Sequence, residues 1–230
     1  ELGGEPARFS PFGAYVSGAP GAVPAVAEGR AGVQDEGSQL VALALSRVDA
    51  PEGHWLDLCA GPGGKAALLA GLAIADGSRL VAAELQPHRA RLVAANLAGY
   101  TAANRPVAIV ADGTRPAWSA AGFARVMADV PCTGLGALRR RPESRWRRQP
   151  SDLPGLVALQ GRLLATAIAS TRPGGVVAYV TCSPHVQETR GVVGQSTGVE
   201  VLRAADYLPE VPDAAAGDFV QLWPHRHRTD

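Results

Sequence analysis

Short apolar runs alternate with longer stretches of helical period along most of the chain. The apolar runs predict five strands, over residues 54–58, 79–84, 107–111, 123–129 and 175–181. Apolar positions spaced three and four apart predict helices over residues 34–48, 65–75, 87–97 and 152–171. Strands that alternate with helices are typical of a doubly wound α/β domain, in which a mostly parallel central sheet carries helices on both faces.

The two ends of the chain follow this pattern less closely. Residues 1–33 are rich in glycine, proline and alanine and show no period, so we expect an extended lead-in packed on a main domain of residues 34–230. Further on, a serine followed by a proline predicts a helix that Ser183 caps and Pro184 starts. Residues 199–202 and 218–223 are candidates for two closing strands.

Two cysteines each come just after a predicted strand. Cys132 follows the strand 123–129 and Cys182 follows the strand 175–181. Because the carboxyl ends of parallel strands meet at one edge of a sheet, both thiols are expected to face the same crevice. A helix starting beside Cys182 would favour its thiolate. A single free cysteine is more often a packing residue, but the shared position of these two favours chemistry.

A glycine-rich turn, residues 57–65, follows the first predicted strand. Its glycines allow close approach of the backbone to a ligand, and the helix after it offers free N–H groups. Glu84 ends the next strand, where an acid can accept hydrogen bonds from ribose hydroxyls, and Asp112 follows the third strand, where it could meet an adenine edge. Neither the dinucleotide G-x-G-x-x-G spacing nor a Walker lysine–serine pair is present. The pattern therefore suits S-adenosylmethionine better than NAD or ATP, the alternative being a tight turn with an unrelated acid downstream.

Two thiols beside a methyl donor match the chemistry of methylation at C5 of cytosine. That carbon is a poor nucleophile, and attack by a thiolate on C6 moves electron density to C5, which can then take the methyl group. The C5 proton must then leave and the thiolate be eliminated, so a second acid–base group is needed. Lys65 or Asp129 could steady the base as charge moves onto it. The base must be splayed or flipped out to be reached.

Composition indicates the cellular compartment and the partners that this chemistry would involve. The 230 residues carry a net charge of only +1, and three cysteines cannot all pair, which favours free thiols in a reducing cytosol over a disulfide framework. No membrane span is expected from the apolar runs, and the histidines at 225 and 227 lack partners for a metal site. Six arginines and Trp146 fall within residues 139–148, where they could grip phosphates and stack a base; the alternative is a solvated polar loop.

Four motifs, taken together and in order, resemble those of the RNA (cytosine-5)-methyltransferase family that includes the Sun (Fmu) proteins. They lie at residues 57–65, 129–132, 140–146 and 181–183, and the resemblance covers roughly residues 33–190. It implies a Rossmann-like fold, S-adenosylmethionine as cofactor, and an RNA substrate, with ribosomal RNA favoured. We also expect a cytoplasmic protein that works as a monomer without a metal.

The same resemblance implies roles for individual residues. Cys182 would attack the ring and Cys132 would assist release of the product. The chemistry of the reaction, as argued above, adds Lys65 and Asp129 to the catalytic set. The cofactor would be bound by Cys59, Ala60, Gly61, Pro62, Gly63, Gly64, Lys65, Glu84, Asp112 and Asp129. The composition of the arginine-rich stretch, independently of the resemblance, predicts that Arg139, Arg140, Arg141, Arg145 and Trp146 bind the RNA.

Two other functions stay open at this point. A DNA cytosine methyltransferase would use the cysteine of the Pro-Cys motif, Cys132, as its nucleophile, whereas both cysteines in their present contexts favour RNA. An RNA-binding or assembly factor could retain the fold and bind the cofactor without turnover. The family's usual N-terminal RNA-binding segment and closing strand do not show in this sequence, so we expect a shortened version of the family's protein.

Overall fold

The N-terminal segment is anchored on the first long helix, α2. The computed structural model describes residues 2–100 and 103–229 of the protein. It begins with the strand pair β1 (Glu5–Pro6) and β2 (Ala14–Tyr15), followed by the one-turn helix α1 (Pro24–Ala27) and by α2 (Glu36–Arg47). The buried Glu36 carboxylate accepts hydrogen bonds from the backbone N–H groups of Phe9 and Ser10 and from the Tyr15 hydroxyl. The lead-in therefore has short elements of its own, where the sequence predicted only an extended segment.

The central sheet is five-stranded and wholly parallel. Its strands are β3 (Trp55–Asp57), β4 (Leu80–Glu84), β5 (Val107–Val110), β6 (Phe123–Asp129) and β7 (Thr171–Val180). They lie in the order β5-β4-β3-β6-β7, so the sheet grows in one direction from β3 to β5 and in the other from β6 to β7. This reversal sets the topological switch point of the sheet between β3 and β6, where ligands of open α/β sheets bind.

Helices cover both faces of this sheet, as the sequence predicted. The longer ones after α2 are α3 (Gly64–Ala75), α4 (Pro87–Leu97) and α6 (Leu153–Ser170), with the short α5 (Ser144–Arg147) before α6. Apolar residues of α2, α3 and α4 share one buried cluster with Trp55 and Met127, while Leu163 and Ala167 of α6 share the other with Leu56. Consecutive residues of a strand point to opposite faces, so Trp55 and Leu56 separate the two clusters.

A buried arginine interrupts the apolar pattern of β6. Arg125 is 7% exposed, and its guanidinium lies 5.0 Å from the ring centre of Trp55. It donates hydrogen bonds to the carbonyl oxygens of Leu45 and Val48, at the end of α2, and lies 3.8 Å from an Asp76 carboxylate oxygen. The side chain therefore supplies donors to the orphan carbonyl groups at a helix end.

Replacing Arg125 with alanine is expected to lower the free energy of unfolding by about 2–4 kcal/mol, because two buried carbonyl groups lose their donors and a cavity remains. Urea unfolding measures this change. Arg105→Ala, at an exposed arginine, is the matched control and should stay within about 0.5 kcal/mol of the unsubstituted protein. Equal losses in the two variants would contradict the assigned role of Arg125.

The sequence-based boundaries need correction after residue 170. Strand β7 begins at Thr171 instead of residue 175, and the Pro-Gly-Gly sequence at residues 173–175 lies within the strand, where its pairing with β6 is irregular. No helix starts at Pro184: a 3₁₀ turn spans Val186–Glu188, with the ring of His185 accepting a hydrogen bond from the backbone of residue 187, and the short helix α7 (Arg190–Val193) follows. Local hydrogen bonds of Ser183 and His185 hold these turns in place of a helix.

Of the two predicted closing strands, one is absent and the other is much shorter than predicted. Residues 199–202 form no strand, and of residues 218–223 only β9 (Phe219–Val220) pairs, with the two-residue β8 (Ala215–Ala216). A one-turn helix, α8 (Pro224–His227), ends the ordered elements. One edge of β7 consequently has no partner strand within residues 2–100 and 103–229, and most residues of β7 are half-exposed.

Residues 150–170 form a helix that is long and apolar enough, by length and composition alone, to cross a membrane. The apolar runs of the sequence predicted a helix here but no stretch long and apolar enough to cross a membrane. Leu163 and Ala167 on its buried face pack against the sheet, and Leu164 and Gln160 are also buried. The helix thus occupies the place of a core helix in an α/β fold.

Candidate active site

An open crevice of about 2340 Å³ follows the carboxyl ends of the strands and continues along the free edge of β7. The residues that line it include Asp57, Gly61, Lys65, Glu84, Asp112, Asp129, Cys132 and Cys182. The loops after β3 and β6 border its centre, at the switch point of the sheet. The sequence-predicted catalytic and cofactor-binding positions therefore meet in one place.

The two predicted thiols face each other across this crevice. The sulfur atoms of Cys132 and Cys182 are 3.4 Å apart, which confirms that both follow neighbouring strands to the same edge. The Val130 N–H donates to the Val180 carbonyl at the end of the ladder between β6 and β7. The Gly136 N–H donates to the Cys182 carbonyl, and a side chain at Gly136 would approach that oxygen to 2.7 Å. Glycine at this position therefore allows the loops to close on each other.

The pKa values of the two thiols are shifted in opposite directions. The hydrogen bond from Cys182 is the main factor that lowers the pKa of Cys132, to about 7. The same hydrogen bond, followed by burial, raises the pKa of Cys182 above its ordinary value. The hydrogen bond between the two thiols therefore favours ionisation of Cys132 over ionisation of Cys182. This differs from the sequence-based expectation of a Cys182 thiolate, which depended on a helix at Pro184 that does not form.

An ion pair and a buried acid lie beside the thiols. The Lys65 ammonium, at the start of α3, is 2.9 Å from a carboxylate oxygen of Asp129, at the end of β6. Asp57, at the end of β3, is 1% exposed, and burial together with the charge of Asp129 raises its pKa to about 7. Its Oδ2 atom is buried and has no hydrogen-bond partner in the described part of the chain. The site therefore holds an acceptor that a bound donor could satisfy.

The glycine-rich turn is clamped by side chains from α4. The Arg89 guanidinium donates to the Gly61 carbonyl at 2.6 Å, and the Asn96 amide donates to the Pro62 carbonyl at 3.0 Å. Gly63 has a φ of +116°, which favours glycine, and Gly64 begins α3. Ala60 is buried and pairs with the backbone of β4.

Both predicted nucleoside-binding acids are placed at this turn or opposite it. Glu84 is 5% exposed, and its two oxygens accept from the Gly61 and Gln86 backbone N–H groups. One oxygen of Asp112 accepts from the Thr114 side chain and backbone, and these hydrogen bonds lower the pKa of Asp112. Both acids are thus carboxylates that border the crevice.

Cys59 differs from the other two cysteines. It is partly buried beside the cluster that packs α6 on the sheet. Burial and the neighbouring acids, Asp57 first among them, raise the pKa of Cys59 well above its ordinary range. A thiol held neutral is a poor nucleophile, which agrees with a packing role.

The arginine-rich segment, residues 139–148, divides into two parts. The guanidinium groups of Arg139 and Arg140 lie 2.8 Å and 3.5 Å from the same carboxylate oxygen of Asp35, the capping residue of α2. Arg141, Arg145 and Trp146 are exposed, Trp146 to 78%, with the Arg145 guanidinium 5.9 Å from its ring centre. The outer part therefore presents cations and an aromatic face to solvent, while the first two arginines also fasten the segment to the domain.

Of the two C-terminal histidines, His227 has a structural role. His227 is buried, and its ring nitrogens pair with the Trp223 backbone N–H and the Pro212 carbonyl. Residues 2–100 and 103–229 contain no group of three or more His, Cys, Asp or Glu side chains that could hold a metal ion.

Sequence reasoning missed a buried network behind the thiols. Glu188 is 0% exposed and accepts hydrogen bonds from Thr133, Ser183 and Gln160. Burial acts to raise the pKa of Glu188, but these hydrogen bonds outweigh it and lower the pKa. A glutamine inside the apolar face of α6 was the one signal that could have pointed to this network, because an isolated polar residue at a core position needs a partner.

Comparison with known proteins places this chain in a family. Residues 42–230 match the family model described as 16S rRNA methyltransferase RsmB/F. A protein of Mycobacterium tuberculosis named as a methyltransferase is 53% identical over 230 residues, covering 97% of this chain and 49% of the relative. The ribosomal RNA small subunit methyltransferase B of Pasteurella multocida is 38% identical over 175 residues, covering 72% of this chain and 37% of the relative. The chain spans about half the length of the Mycobacterium relative and less of the other.

Solved structures agree on the fold. The crystal structure of PH0851 has a TM-score of 0.77 and 26% identity, covering 90% of this chain and 46% of that one. The structure of NSun6 from Pyrococcus horikoshii with SFG has a TM-score of 0.70 and 22% identity, covering 92% and 54%. The fold is that of the S-adenosylmethionine-dependent methyltransferases, as the sequence predicted. On the strength of the family model, which covers most of its length, the chain belongs to the RsmB/F family of 16S rRNA methyltransferases.

Proposed function

We propose that residues 34–230 are the catalytic domain of an enzyme that uses S-adenosylmethionine to make 5-methylcytosine in RNA, with small-subunit ribosomal RNA as the favoured substrate. The observation that carries this proposal is the 3.4 Å separation of the Cys132 and Cys182 sulfurs at the switch point of the sheet. One thiol can act as nucleophile while the other moves protons, which is what C5 methylation requires. Free thiols at the reacting centre also fit a reducing compartment such as the cytoplasm.

The thiol pair supports a stepwise mechanism. As the Cys182 sulfur bonds to C6 of the ring, its proton passes to the Cys132 thiolate. Cys132 then releases this proton to solvent, which its pKa of about 7 allows near neutral pH. After C5 has gained the methyl group, Cys132 takes the C5 proton, the C5–C6 double bond re-forms and Cys182 leaves as a thiolate. Each proton thus has a defined donor and acceptor.

The ion pair of Lys65 and Asp129 supports recognition of the base. An ammonium can offset the negative charge that moves onto the ring when C6 is attacked, and a carboxylate can accept from the amino group that distinguishes cytosine from uracil. Because Lys65 and Asp129 are only 2.9 Å apart, both can act on one flipped base. The exposed Arg141, Arg145 and Trp146 are suited to hold the surrounding RNA through phosphates and stacking.

The glycine-rich turn fits S-adenosylmethionine. Glu84 offers carboxylate oxygens for ribose hydroxyls, and the free oxygen of Asp112 is available to the adenine end. The buried, unpartnered Oδ2 of Asp57 suits the cofactor's ammonium group. When bound, the cofactor supplies the electrophilic methyl group. Cys59 and the backbone of residues 60–64 complete the walls of this pocket.

Gly61→Ala is expected to weaken S-adenosylmethionine binding by about 100-fold, a loss of about 2.7 kcal/mol. A side chain at Gly61 would lie 2.1 Å from the Glu84 Oε2 atom and 2.9 Å from the Arg89 Nε atom, so the acid that receives the ribose must move. Isothermal titration calorimetry measures the affinity. Gly155→Ala, in open space near the start of α6, is the control and should bind normally. Unchanged affinity in Gly61→Ala would remove the turn from the cofactor site.

The proposal is tested by methyl transfer from labelled S-adenosylmethionine to small-subunit ribosomal RNA and to DNA of the same sequence, with bisulfite sequencing of the products. We expect 5-methylcytosine in the RNA and none in the DNA. Product in DNA alone would favour a DNA methyltransferase. Binding of RNA and cofactor with no product in either would favour a non-catalytic assembly factor.

A further inference from the structure

Glu188 lies behind the two thiols, and none of the steps above uses it. We propose that Glu188 is a positioning residue that holds the sulfurs of Cys132 and Cys182 within proton-transfer distance. This inference rests on the proposed function of the thiol pair, which it deepens. The residue comes from the 3₁₀ turn Val186–Glu188 and is 0% exposed.

One carboxylate binds the residues that follow both cysteines. The backbone N–H of Thr133, next to Cys132, donates to the Glu188 Oε1 atom at 2.9 Å, and its hydroxyl donates to Oε2 at 2.5 Å. The hydroxyl of Ser183, next to Cys182, donates to the same Oε2 atom at 2.5 Å. The two cysteine loops are therefore joined through a single side chain one residue beyond each sulfur.

A second side chain fixes the carboxylate itself. The Gln160 amide, on α6, donates to the Glu188 Oε1 atom and to the Pro131 carbonyl, both at 2.9 Å. The Tyr179 hydroxyl, on β7, donates to the Glu188 backbone carbonyl at 2.7 Å. The long helix and the edge strand thus hold Glu188 from two directions, and a buried network of this kind tolerates few other arrangements.

The charge of Glu188 also affects the pKa of Cys132. The side-chain groups that bind its carboxylate are neutral amides and hydroxyls, so a full negative charge stays near Cys132 and acts to raise its pKa. The hydrogen bond from Cys182 opposes this and lowers the same pKa more strongly. The other charged or titratable groups that face the pair are Tyr179, Asp129, Lys65 and Arg148. The Arg148 guanidinium donates to the Cys132 carbonyl at 3.2 Å, and Glu188 is the group that binds the residues following both cysteines.

Two substitutions separate position from charge. Glu188→Gln keeps the size and an acceptor for the Thr133 N–H and the Gln160 amide, while the two hydroxyls can turn to accept from its new amide. The loops stay joined and the charge is lost, so the pKa of Cys132 should fall. Glu188→Ala releases both loops, so the hydrogen bond from Cys182 should weaken and the pKa of Cys132 should rise toward its ordinary value.

The experiment measures the alkylation rate of Cys132 by iodoacetamide as a function of pH, with mass spectrometry of the Cys132 peptide. We expect a midpoint near pH 7 without substitution. The midpoint should be lower by about half a unit in Glu188→Gln and higher by about one unit in Glu188→Ala, which is about a fivefold loss of thiolate at pH 7. Glu200→Gln removes one charge from an exposed position and should leave the midpoint unchanged.

Methyl transfer to RNA supplies an independent measurement. Glu188→Ala should lower kcat by about 100-fold with the affinity for S-adenosylmethionine unchanged, and Glu188→Gln should retain most of the activity. Midpoints that coincide in all variants, or that shift in the same direction in both Glu188 variants, would overturn the positioning role even if the protein methylates RNA. Shifts as expected in a protein that methylates no RNA would instead overturn the proposed function and leave the link between Glu188 and the thiols in place.

Discussion

Replacing Cys182 with alanine is expected to abolish methyl transfer, with a loss of at least about 10⁴-fold in kcat/KM, and to abolish every covalent RNA–protein complex. Without a sulfur at this position nothing attacks C6, so C5 stays a poor nucleophile even with cofactor and RNA bound. Cys132 cannot take over at full rate, because it is buried while Cys182 is exposed to the crevice. The measurements are methyl incorporation into RNA and a denaturing gel that detects RNA bound to protein.

Two controls make this result specific to the nucleophile. Cofactor affinity should be unchanged in Cys182→Ala, since the glycine-rich turn and Glu84 are untouched. Val186→Ala removes an exposed side chain from the same loop and should keep normal activity. A Cys182→Ala protein that still forms a covalent complex would transfer the attack to Cys132, as in a DNA methyltransferase, and would reverse the roles assigned to the two thiols.

The sequence predicted the parts of the fold that depend on local pattern. Strands β3, β4 and β6 and helices α3 and α4 lie where apolar periodicity indicated, within a residue or two, because each buries a regular face. The meeting of the two thiols could also be predicted, since it needs only that two neighbouring parallel strands end at one edge. The errors cluster after residue 170, where polar side chains bind the backbone locally and compete with helix and strand.

The rest of the site depends on contacts between residues far apart in sequence. Asp35 pairs with Arg139 and Arg140 across more than 100 positions, and no local pattern announces such a partner. Glu188 is equally hidden, because a glutamate in a polar turn is usually solvated and only the packing of α6 over β7 buries it. Periodicity thus predicts which residues reach the crevice, while the protonation of the thiols follows from distances that only the folded chain defines.

Replacing Cys132 with alanine is expected to slow product formation by about 100- to 1000-fold while a covalent RNA–protein complex accumulates. The hydrogen bond and charge of Cys132 are among the factors that raise the pKa of Cys182, so without Cys132 the remaining thiol ionises more readily and attack continues. Removal of the C5 proton then has no base, and the adduct persists. A denaturing gel with labelled RNA should show a retarded band that forms with Cys132→Ala and is absent with the double variant Cys132→Ala/Cys182→Ala.

The pH dependence distinguishes loss of this base from general damage to the site. Since Cys132 takes the C5 proton as a thiolate, turnover of the unsubstituted protein should rise with pH through the Cys132 pKa of about 7 and then level off. That inflection should vanish in Cys132→Ala, because the base whose ionisation limits release is gone. Turnover at the normal rate with no retained RNA, or an inflection near pH 7 that survives the substitution, would assign the proton transfer to another group, of which Asp57, with its pKa raised to about 7, is the nearest in pKa.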